Sequence, residues 1–385
     1  MRIALVTRRY PPAIGGAEKV LSYLAPALAE QGHEVAVITA MPFDRAEPLP
    51  DRERPPTRNG SLAVERLATH PWRFVGTWLY MRNLRSRLDR DPPDLAYVSM
   101  LKHDAYEAVG VGQRRGFPVV LRPEGAGQTG DIAWQRWGRF GRKIAGRCRQ
   151  ADAFVALSKS IAGELEADGY DADRIAQLPN GVPIPAQPWN RRPDWREAPR
   201  AAFVGRLAKE KGLDTLVDAW EVVRRVHRHA LLTLAGDGPE RPALEARIAQ
   251  LDLGDSIRFA GAIDDPTAFL REQDLFVLPS REEGMSIALL EAMALGIPLV
   301  ATAIPGNRRL VGDFKHGRLT PADHPFLLAQ AIVEQWGNFD RALHMGRSAR
   351  ALVARSFSIE TMAKQHLELF GAILASRGKT PPRRA

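Results

Sequence analysis

The 385-residue sequence predicts an α/β protein built from two tandem, doubly wound, Rossmann-like domains, and three observations carry that expectation. Short apolar runs alternate with helical patterns in a series starting at residue 2, and again in a series starting at residue 201. Between Pro179 and Pro199 lie Pro183, Pro185, Pro188 and Pro193, a density that neither a helix nor a central strand tolerates. The length suits two domains, each large enough to bury a core. Two such sheets in tandem imply a ligand cleft between them, at the carboxyl ends of the strands.

In chain order, residues 2–7 (RIALVT) read as a buried parallel strand, followed by a loop through Gly15 and Gly16. A helical pattern follows from about Ala17 to Glu30, with Pro26 expected to kink it, and then a strand over 34–39. Further strands are expected at 95–99, 119–122 and 154–157, while residues 44–60, rich in Pro, Arg and Asp, read as a loop. The second series reads as strands at 201–204, 230–235, 256–260, 275–278 and 298–302. Helices near 213–228, 240–251, 266–272 and 286–295 alternate with them. The resulting plan is a first domain over 1–182, a Pro-rich linker over 183–199 and a second domain over 200–360. A C-terminal helix over 361–377 is expected to return to the first domain, and 378–385 to form a disordered basic tail.

One cysteine, Cys148, cannot form an internal disulfide or a thiolate metal site, which excludes a cystine scaffold and fits a cytoplasmic protein. The apolar run at residues 3–6 is too short for a signal peptide, and the run over 287–304 is broken by Glu291, Gly296 and Pro298 and cannot span a bilayer. The net charge of +9 divides as +5 before residue 186 and +4 after it, so no basic half suggests a nucleic-acid partner. Locally the balance is different. Arg136, Arg139, Arg142, Lys143, Arg147 and Arg149 alternate with Trp134, Trp137 and Phe140 without an acid among them. Residues 72–90 also bring Trp72, Phe74, Trp78, Leu79 and Tyr80 close to Arg82, Arg85, Arg87 and Arg90. Such segments suit either the headgroup region of an anionic membrane, at its inner face for a cytoplasmic protein, or a solvated basic face with its aromatics in the core.

The densest local signal is SREEGMSIALLE, residues 280–291. Glu283 and Gly284 follow a strand, and the helix beginning near Ser286 carries Glu291. A Gly-bearing turn into a helix offers free amides and a positive dipole end to a diphosphate. Two further segments end strands of the same sheet: Val204-Gly205-Arg206-Leu207 with Lys211-Gly212 downstream, and Ala235-Gly236-Asp237-Gly238-Pro239. Arg206 and Lys211 would supply two cations to the phosphates at that helix.

VGRL with its downstream KG, AGDGP, and Glu283 followed by Glu291 within EAMALGIPLVAT resemble the retaining glycosyltransferases of family 4, which have the GT-B fold. Gly15-Gly16-Ala17-Glu18, QGHEV at 31–35, Leu157-Ser158 and PNGV at 179–182 extend the likeness over about residues 1–375. The resemblance implies a UDP- or GDP-linked sugar donor, no cofactor and no metal, and a hydroxyl acceptor on a glycan or lipid-linked precursor. It assigns Arg206 and Lys211 to the diphosphate, Glu283 to the donor sugar, Glu291 to the ribose and the amides near Gly16 to the sugar-phosphate region. Gly205, Asp237, Gly284, Met285 and Ser286 complete the donor set. It further implies a front-face substitution in which the leaving diphosphate takes the acceptor proton, with the two cations stabilising its charge.

The acceptor side departs from the family pattern. Where many members have a histidine after the fourth strand stands Ser99, with His103 four residues on, and a second usual histidine is replaced by Arg122-Pro123-Glu124-Gly125. Ser99, His103, Arg122 and Glu124 are therefore the acceptor candidates. Arg309 stands where an acid is common, and Met285 and Ser286 replace Phe and Gly. Two other functions compete: a noncatalytic nucleotide-sugar-binding protein, and an NAD-dependent oxidoreductase suggested by GAGQTG at 125–130 with Asp152 as its distant acid. Asp89-Arg90-Asp91 and Asp171-Ala172-Asp173 imitate an Asp-x-Asp metal site, but both sit in turn contexts and read as solvated loops.

Overall fold

The computed structural model describes residues 1–12, 15–42, 49–125, 127 and 130–378. The chain forms two units, Met1–Asn180 joined by the segment from Ile359 onward, and Gly181–Ser358.

The first unit runs β1 (Arg2–Val6), α1 (Gly16–Glu30), β2 (Glu34–Ala40), β3 (Arg52–Glu53), β4 (Ser61–Leu67), α2 (Arg73–Arg90), β5 (Leu95–Ser99) and α3 (His103–Arg115). It continues with β6 (Val119–Arg122), α4 (Asp131–Trp137), α5 (Gly141–Cys148), β7 (Ala153–Ala156), α6 (Lys159–Ala167) and β8 (Ile175–Gln177). Among the described residues its strands lie in the order β3-β4-β2-β1-β5-β6-β7-β8, parallel except for the edge strand β3. The order reverses between β1 and β5, so the loops leaving those strands open onto a crevice at the carboxyl edge. β1, β5, β6 and β7 are covered on both faces and consist of apolar residues with almost no charge, as buried parallel strands require. The helix α1 continues through Pro26 without interruption.

Part of the segment read as a loop over 44–60 is ordered: Arg52 and Glu53 pair antiparallel with Glu65 and Val64 of β4. The β4 strand itself buries two charges. Glu65 receives Arg87 at 2.5 Å and Arg52 at 3.3 Å, and Arg66 meets Glu53 at 2.9 Å. Residues 43–48 lie outside the described residues.

The second unit contains β9 (Arg200–Val204), α7 (Leu213–Val226), β10 (Leu231–Ala235), α8 (Arg241–Gln250), β11 (Ile257–Gly261), α9 (Pro266–Arg271) and β12 (Leu275–Leu278). Then come α10 (Ile287–Leu295), β13 (Leu299–Thr302), α11 (Pro305–Arg308), β14 (Arg318–Thr320), α12 (Pro325–Gly337) and α13 (Phe339–Ser356). Its parallel strands lie in the order β11-β10-β9-β12-β13-β14, with the reversal between β9 and β12. This is the arrangement that places a dinucleotide or nucleotide at the carboxyl ends of the two central strands.

The Pro-rich segment is not a free linker over 183–199, because it is fastened to the second unit. Trp189 donates its indole N–H to the Gln273 carbonyl at 2.8 Å, Arg192 holds the fully buried Asp274 at 2.8 Å, and Trp195 stacks on Phe339 at 4.1 Å. Apolar bulk and a buried ion pair override the proline content. The boundary accordingly falls at Asn180 and Gly181, and the second unit ends at Ser358.

The last helix, α14 (Ile359–Ser376), belongs to the first unit. The tail expected over 378–385 lies outside the described residues from 379 on. On α14, His366 is buried; its Nδ1–H donates to the Met362 carbonyl at 2.8 Å, and its Nε2 accepts from the Tyr97 hydroxyl at 3.0 Å. Burial, with the Arg122 charge nearby and against the Met362 contact, lowers its pKa from the ordinary 6.5 to about 4. Below pH 6.5 the unfolded chain takes up a proton that the folded chain refuses until about pH 4. The contribution of His366 is therefore complete above 6.5 and lost as the pH falls through that window, an effect of about 3 kcal/mol. In paired melts at pH 7.5 and 4.5, the stability difference between wild type and His366→Gln should move in favour of the variant by about 2 to 3 kcal/mol. A pH-independent difference would show that His366 does not carry the effect.

Candidate functional site

In the second unit, the loops after β9, β10 and β12 meet at the carboxyl edge. Backbone bonds join the first two: the Gly205 N–H donates to Ala235 O at 2.9 Å, Leu207 N–H to Asp237 O at 3.0 Å and Glu240 N–H to Leu207 O at 3.0 Å. The contact is so close that a Cβ on Gly236 would lie 1.9 Å from the Gly205 oxygen, and Gly236 has φ +131°. Only glycine fits there.

The decisive contact crosses the switch point. Lys211, on the loop after β9, places Nζ 2.7 Å from Oε1 of Glu283, on the loop after β12, and the Ser280 hydroxyl donates to the same oxygen at 2.8 Å. Both partners are largely buried. Several neighbours fix their loops. Arg281 reaches Asp323 at 2.6 Å, Asp214 at 2.7 Å and the Lys209 carbonyl at 2.7 Å. The Thr302 hydroxyl donates to the Ser280 carbonyl, Asn307 donates to the Thr302 carbonyl at 3.0 Å, and the Gly306 backbone lies against the Glu283 carbonyl, where a Cβ would come within 2.3 Å.

The other donor candidates take distinct places. Arg206 is exposed and pairs with Glu210 at 2.5 Å. For Glu210 the cost of burial is outweighed by a backbone amide and by the Arg206 guanidinium, so its pKa is lowered. Ser286 caps α10, accepting the Leu289 N–H at 3.3 Å; Gly284 and the buried Met285 precede it, and Glu291 is buried further along the helix. Asp237 is turned to its own loop, with its carboxylate on the Gly238 N–H at 2.7 Å. The structure thus joins Lys211 to Glu283, while Arg206 and Asp237 bond within their own loops.

Gly16 and the acceptor candidates belong to the first unit. Gly16 is the first residue of α1, and a Cβ there would meet nothing within 4 Å, so its surroundings are open. Ser99 at the end of β5 donates its hydroxyl to Glu124 Oε1 at 2.6 Å, and Arg122 at the end of β6 lies 2.9 Å from the same oxygen. Arg122 is completely buried and also donates to Asn180 Oδ1 at 2.7 Å. Burial raises the pKa of Glu124, against the pull of Arg122 and Ser99 and with the negative charges of Asp131 and Glu18 nearby. Asp131 holds this corner by accepting the Glu124 N–H at 2.8 Å and the Leu101 N–H at 3.2 Å. His103 stands apart from that cluster at the start of α3, with its ring against Trp134 at 5.5 Å and its pKa lowered by burial and by Arg8 and Lys102.

The competing motifs do not assemble. Asp152 accepts the Val119 N–H at 2.8 Å at the beginning of β6, the wrong end of a strand for a ribose-binding acid. Ala126, Gln128 and Thr129 of GAGQTG lie outside the described residues. Asp89 is occupied by Arg114 and Arg115, Asp91 by Arg2 and Arg87, and Asp171 by the Asp173 N–H. Among the described residues, no three of His, Cys, Asp and Glu are grouped to hold a metal ion.

Three supporting residues receive no role from the motifs: Ser280 and Asn180, which lie inside SREEGMSIALLE and PNGV, and Asp131. Each is visible as a polar residue at a strand end or helix start, but the group it serves is not.

Comparison with known proteins bears on the family of the chain as a whole. Residues 14–184 match the family described as "Glycosyltransferase Family 4", and residues 198–338 match "Glycosyl transferases group 1". The chain is 26% identical to a glycogen synthase of Mycobacterium tuberculosis, over 99% of this chain and 97% of that protein. It is also 26% identical to a GDP-mannose-dependent α-(1-6)-phosphatidylinositol monomannoside mannosyltransferase of the same organism, over 94% and 96%. Among solved structures it superposes on sucrose-phosphate synthase from Thermosynechococcus elongatus with a TM-score of 0.81 at 22% identity, covering 97% and 99% of the two chains. Anabaena HepE in complex with UDP-glucose gives 0.76 at 18% identity, covering 96% and 99%. The family matches and the similar curated proteins show a glycosyltransferase that uses a nucleotide-sugar donor. The chain belongs to glycosyltransferase family 4 and has the GT-B fold.

Proposed function

We propose that this enzyme is a retaining, metal-independent glycosyltransferase that moves a sugar from a UDP- or GDP-linked donor to a hydroxyl of a glycan or lipid-linked acceptor in cell-surface glycan synthesis. The observation that carries the donor reading is the Lys211–Glu283 contact at the switch point of the second sheet. Lys211 has three N–H donors, so it can hold Glu283 and a phosphate oxygen together. Arg206 lies in an exposed pair worth little to stability, which leaves its guanidinium available to a diphosphate. The two cations then oppose the charge that develops as the bond from the sugar to the diphosphate breaks. Glu283, oriented by Lys211 and Ser280, accepts a hydroxyl of the donor sugar, and Glu291 accepts the ribose. Both nucleotide bases have precedent among similar proteins: GDP in the name of the mannosyltransferase, UDP in the Anabaena complex. The acceptor side of this reading is the Ser99–Glu124–Arg122 cluster, and the phosphatidylinositol mannoside in that relative's name supports a lipid-linked acceptor.

A panel of UDP- and GDP-sugars, incubated with the enzyme and a chelator, tests the reading. Slow donor hydrolysis detected by mass spectrometry, with the first-formed sugar keeping the donor's anomeric configuration by NMR, is the expected result. Hydrolysis that needs added metal would overturn the metal-independent part, and an inverted product would overturn retention. Binding without any turnover would leave a nucleotide-sugar-binding protein. On the active donor, Glu291→Ala should raise the donor KM about tenfold with little change in kcat, because a ribose contact is equal in the ground and transition states.

A further inference from the structure

We propose that the first unit carries a docking surface for an anionic lipid bilayer, formed by the start of α2 and the turn between α4 and α5. The reading is independent of the donor site. The buried stripe of α2 is Tyr80, Leu84 and Leu88, four residues apart, which turns Phe74, Trp78 and Arg82 outward along the opposite side. Trp72, Phe74, Trp78, Trp137 and Phe140 are 62 to 74% exposed, although an ordinary soluble surface shows such residues singly. They form one patch, because the Arg139 guanidinium lies 5.4 Å from the Phe74 ring and 5.2 Å from the Phe140 ring and so bridges the two segments.

The core accounts for only part of the aromatic content: Tyr80 is interior and Trp134 half-buried, whereas these five are not. Phe140 holds its outward position at φ +65°, a left-handed conformation that is strained for a bulky side chain. The occupant follows from charge. Arg82, Arg139, Arg142 and Lys143 are exposed around the rings, and neither residues 66–88 nor residues 132–151 contain an Asp or Glu. Aromatic rings beside arginine and lysine match the headgroup layer of a bilayer with negative lipids, where rings enter the boundary and cations meet phosphates. No helix is long and apolar enough to cross a membrane, among the described residues, so this contact is with the surface.

Sedimentation of the full-length enzyme with phosphatidylcholine–phosphatidylglycerol vesicles, beside vesicles of phosphatidylcholine alone, is the test. Binding should require phosphatidylglycerol and weaken with added sodium chloride. It should fall at least tenfold in the triple variant Arg139→Glu, Arg142→Glu, Lys143→Glu, and also in Trp78→Ser with Trp137→Ser. These positions are exposed, and melting curves and donor hydrolysis matching those of the wild type would show that the variants fold. Failure to bind the anionic vesicles at low salt, equal binding to both vesicle types, or undiminished binding by the variants would overturn the proposal. So would concentration-dependent self-association abolished by Trp78→Ser in a protein that ignores vesicles, which would make the patch a contact between copies of the chain.

Discussion

Lys211→Ala should lower turnover of the nucleotide-sugar donor by at least about a hundredfold in assays run below its melting temperature, which should itself fall because the largely buried Glu283 loses its cation. Removal of one preorganised group facing developing negative charge costs about 3 kcal/mol, which corresponds to that factor. Lys211 has a second task, because it and Ser280 share Glu283 Oε1. Without the ammonium, Glu283 Oε1 keeps the Ser280 hydroxyl as its partner among the described residues. The loss should therefore exceed that in Arg206→Ala, whose partner Glu210 lies on its own loop. In the proposed donor reading Arg206→Ala should still fall by more than tenfold, since its charge would oppose the same leaving group. Steady-state donor hydrolysis measures both variants with water in place of the acceptor. Near wild-type turnover in both would remove the assignment of this loop to the diphosphate.

The second large effect concerns stability. Arg122→Leu should destabilise the first unit by about 3 to 5 kcal/mol, the cost of removing one partner from a buried ion pair. Arg122 touches Glu124 and Asn180, and its loss leaves, among the described residues, a buried carboxylate with the Ser99 hydroxyl as its side-chain partner. The deficit should depend on pH with a definite sign. The pKa of Glu124 is already raised by burial. A folded state holding that proton more tightly than the unfolded chain gains stability as the pH falls toward the unfolded value. Urea melts of Arg122→Leu should consequently show a smaller deficit at pH 5 than at pH 8. Glu124→Gln separates the structural role from the acceptor role. It keeps a polar partner for Ser99 and removes the negative charge, and it should reduce transfer to acceptor more than donor hydrolysis. An equal fall in both activities would assign Glu124 to the donor or to the fold.

Parts of this architecture are legible in the sequence and parts are not, for physical reasons. The strands β9, β12 and β13 are covered on both faces, so their interiors read as plain apolar runs. The strand β4 gives no such signal because SLAVERL carries Glu65 and Arg66 into the interior, where Arg52, Arg87 and Glu53 neutralise them from other segments. The segment over 183–199 misleads in the opposite sense: its prolines are conspicuous, and the tryptophans and Arg192 that anchor it are not. Among the site residues, Lys211 and Glu283 stand out because each follows a strand at a Gly-bearing turn. Their contact does not, since they are 72 residues apart and meet only because β9 lies beside β12. Asp131 is silent as a site residue because its partners are backbone amides, which have no sequence signature.

The position of α14 bears on how the protein is made. Its His366 and Phe370 pack on Tyr97, yet these residues leave the ribosome only after the whole of Gly181–Ser358 has been synthesised. At about 5 to 20 residues per second, that interval is roughly 10 to 35 seconds. During it the nascent first unit lacks the helix that seals Tyr97, while the second unit, continuous in sequence, can fold in full. The order of completion during translation is thus the reverse of the order of synthesis. A fragment ending near residue 180 is the species that a chaperone would meet on the growing chain.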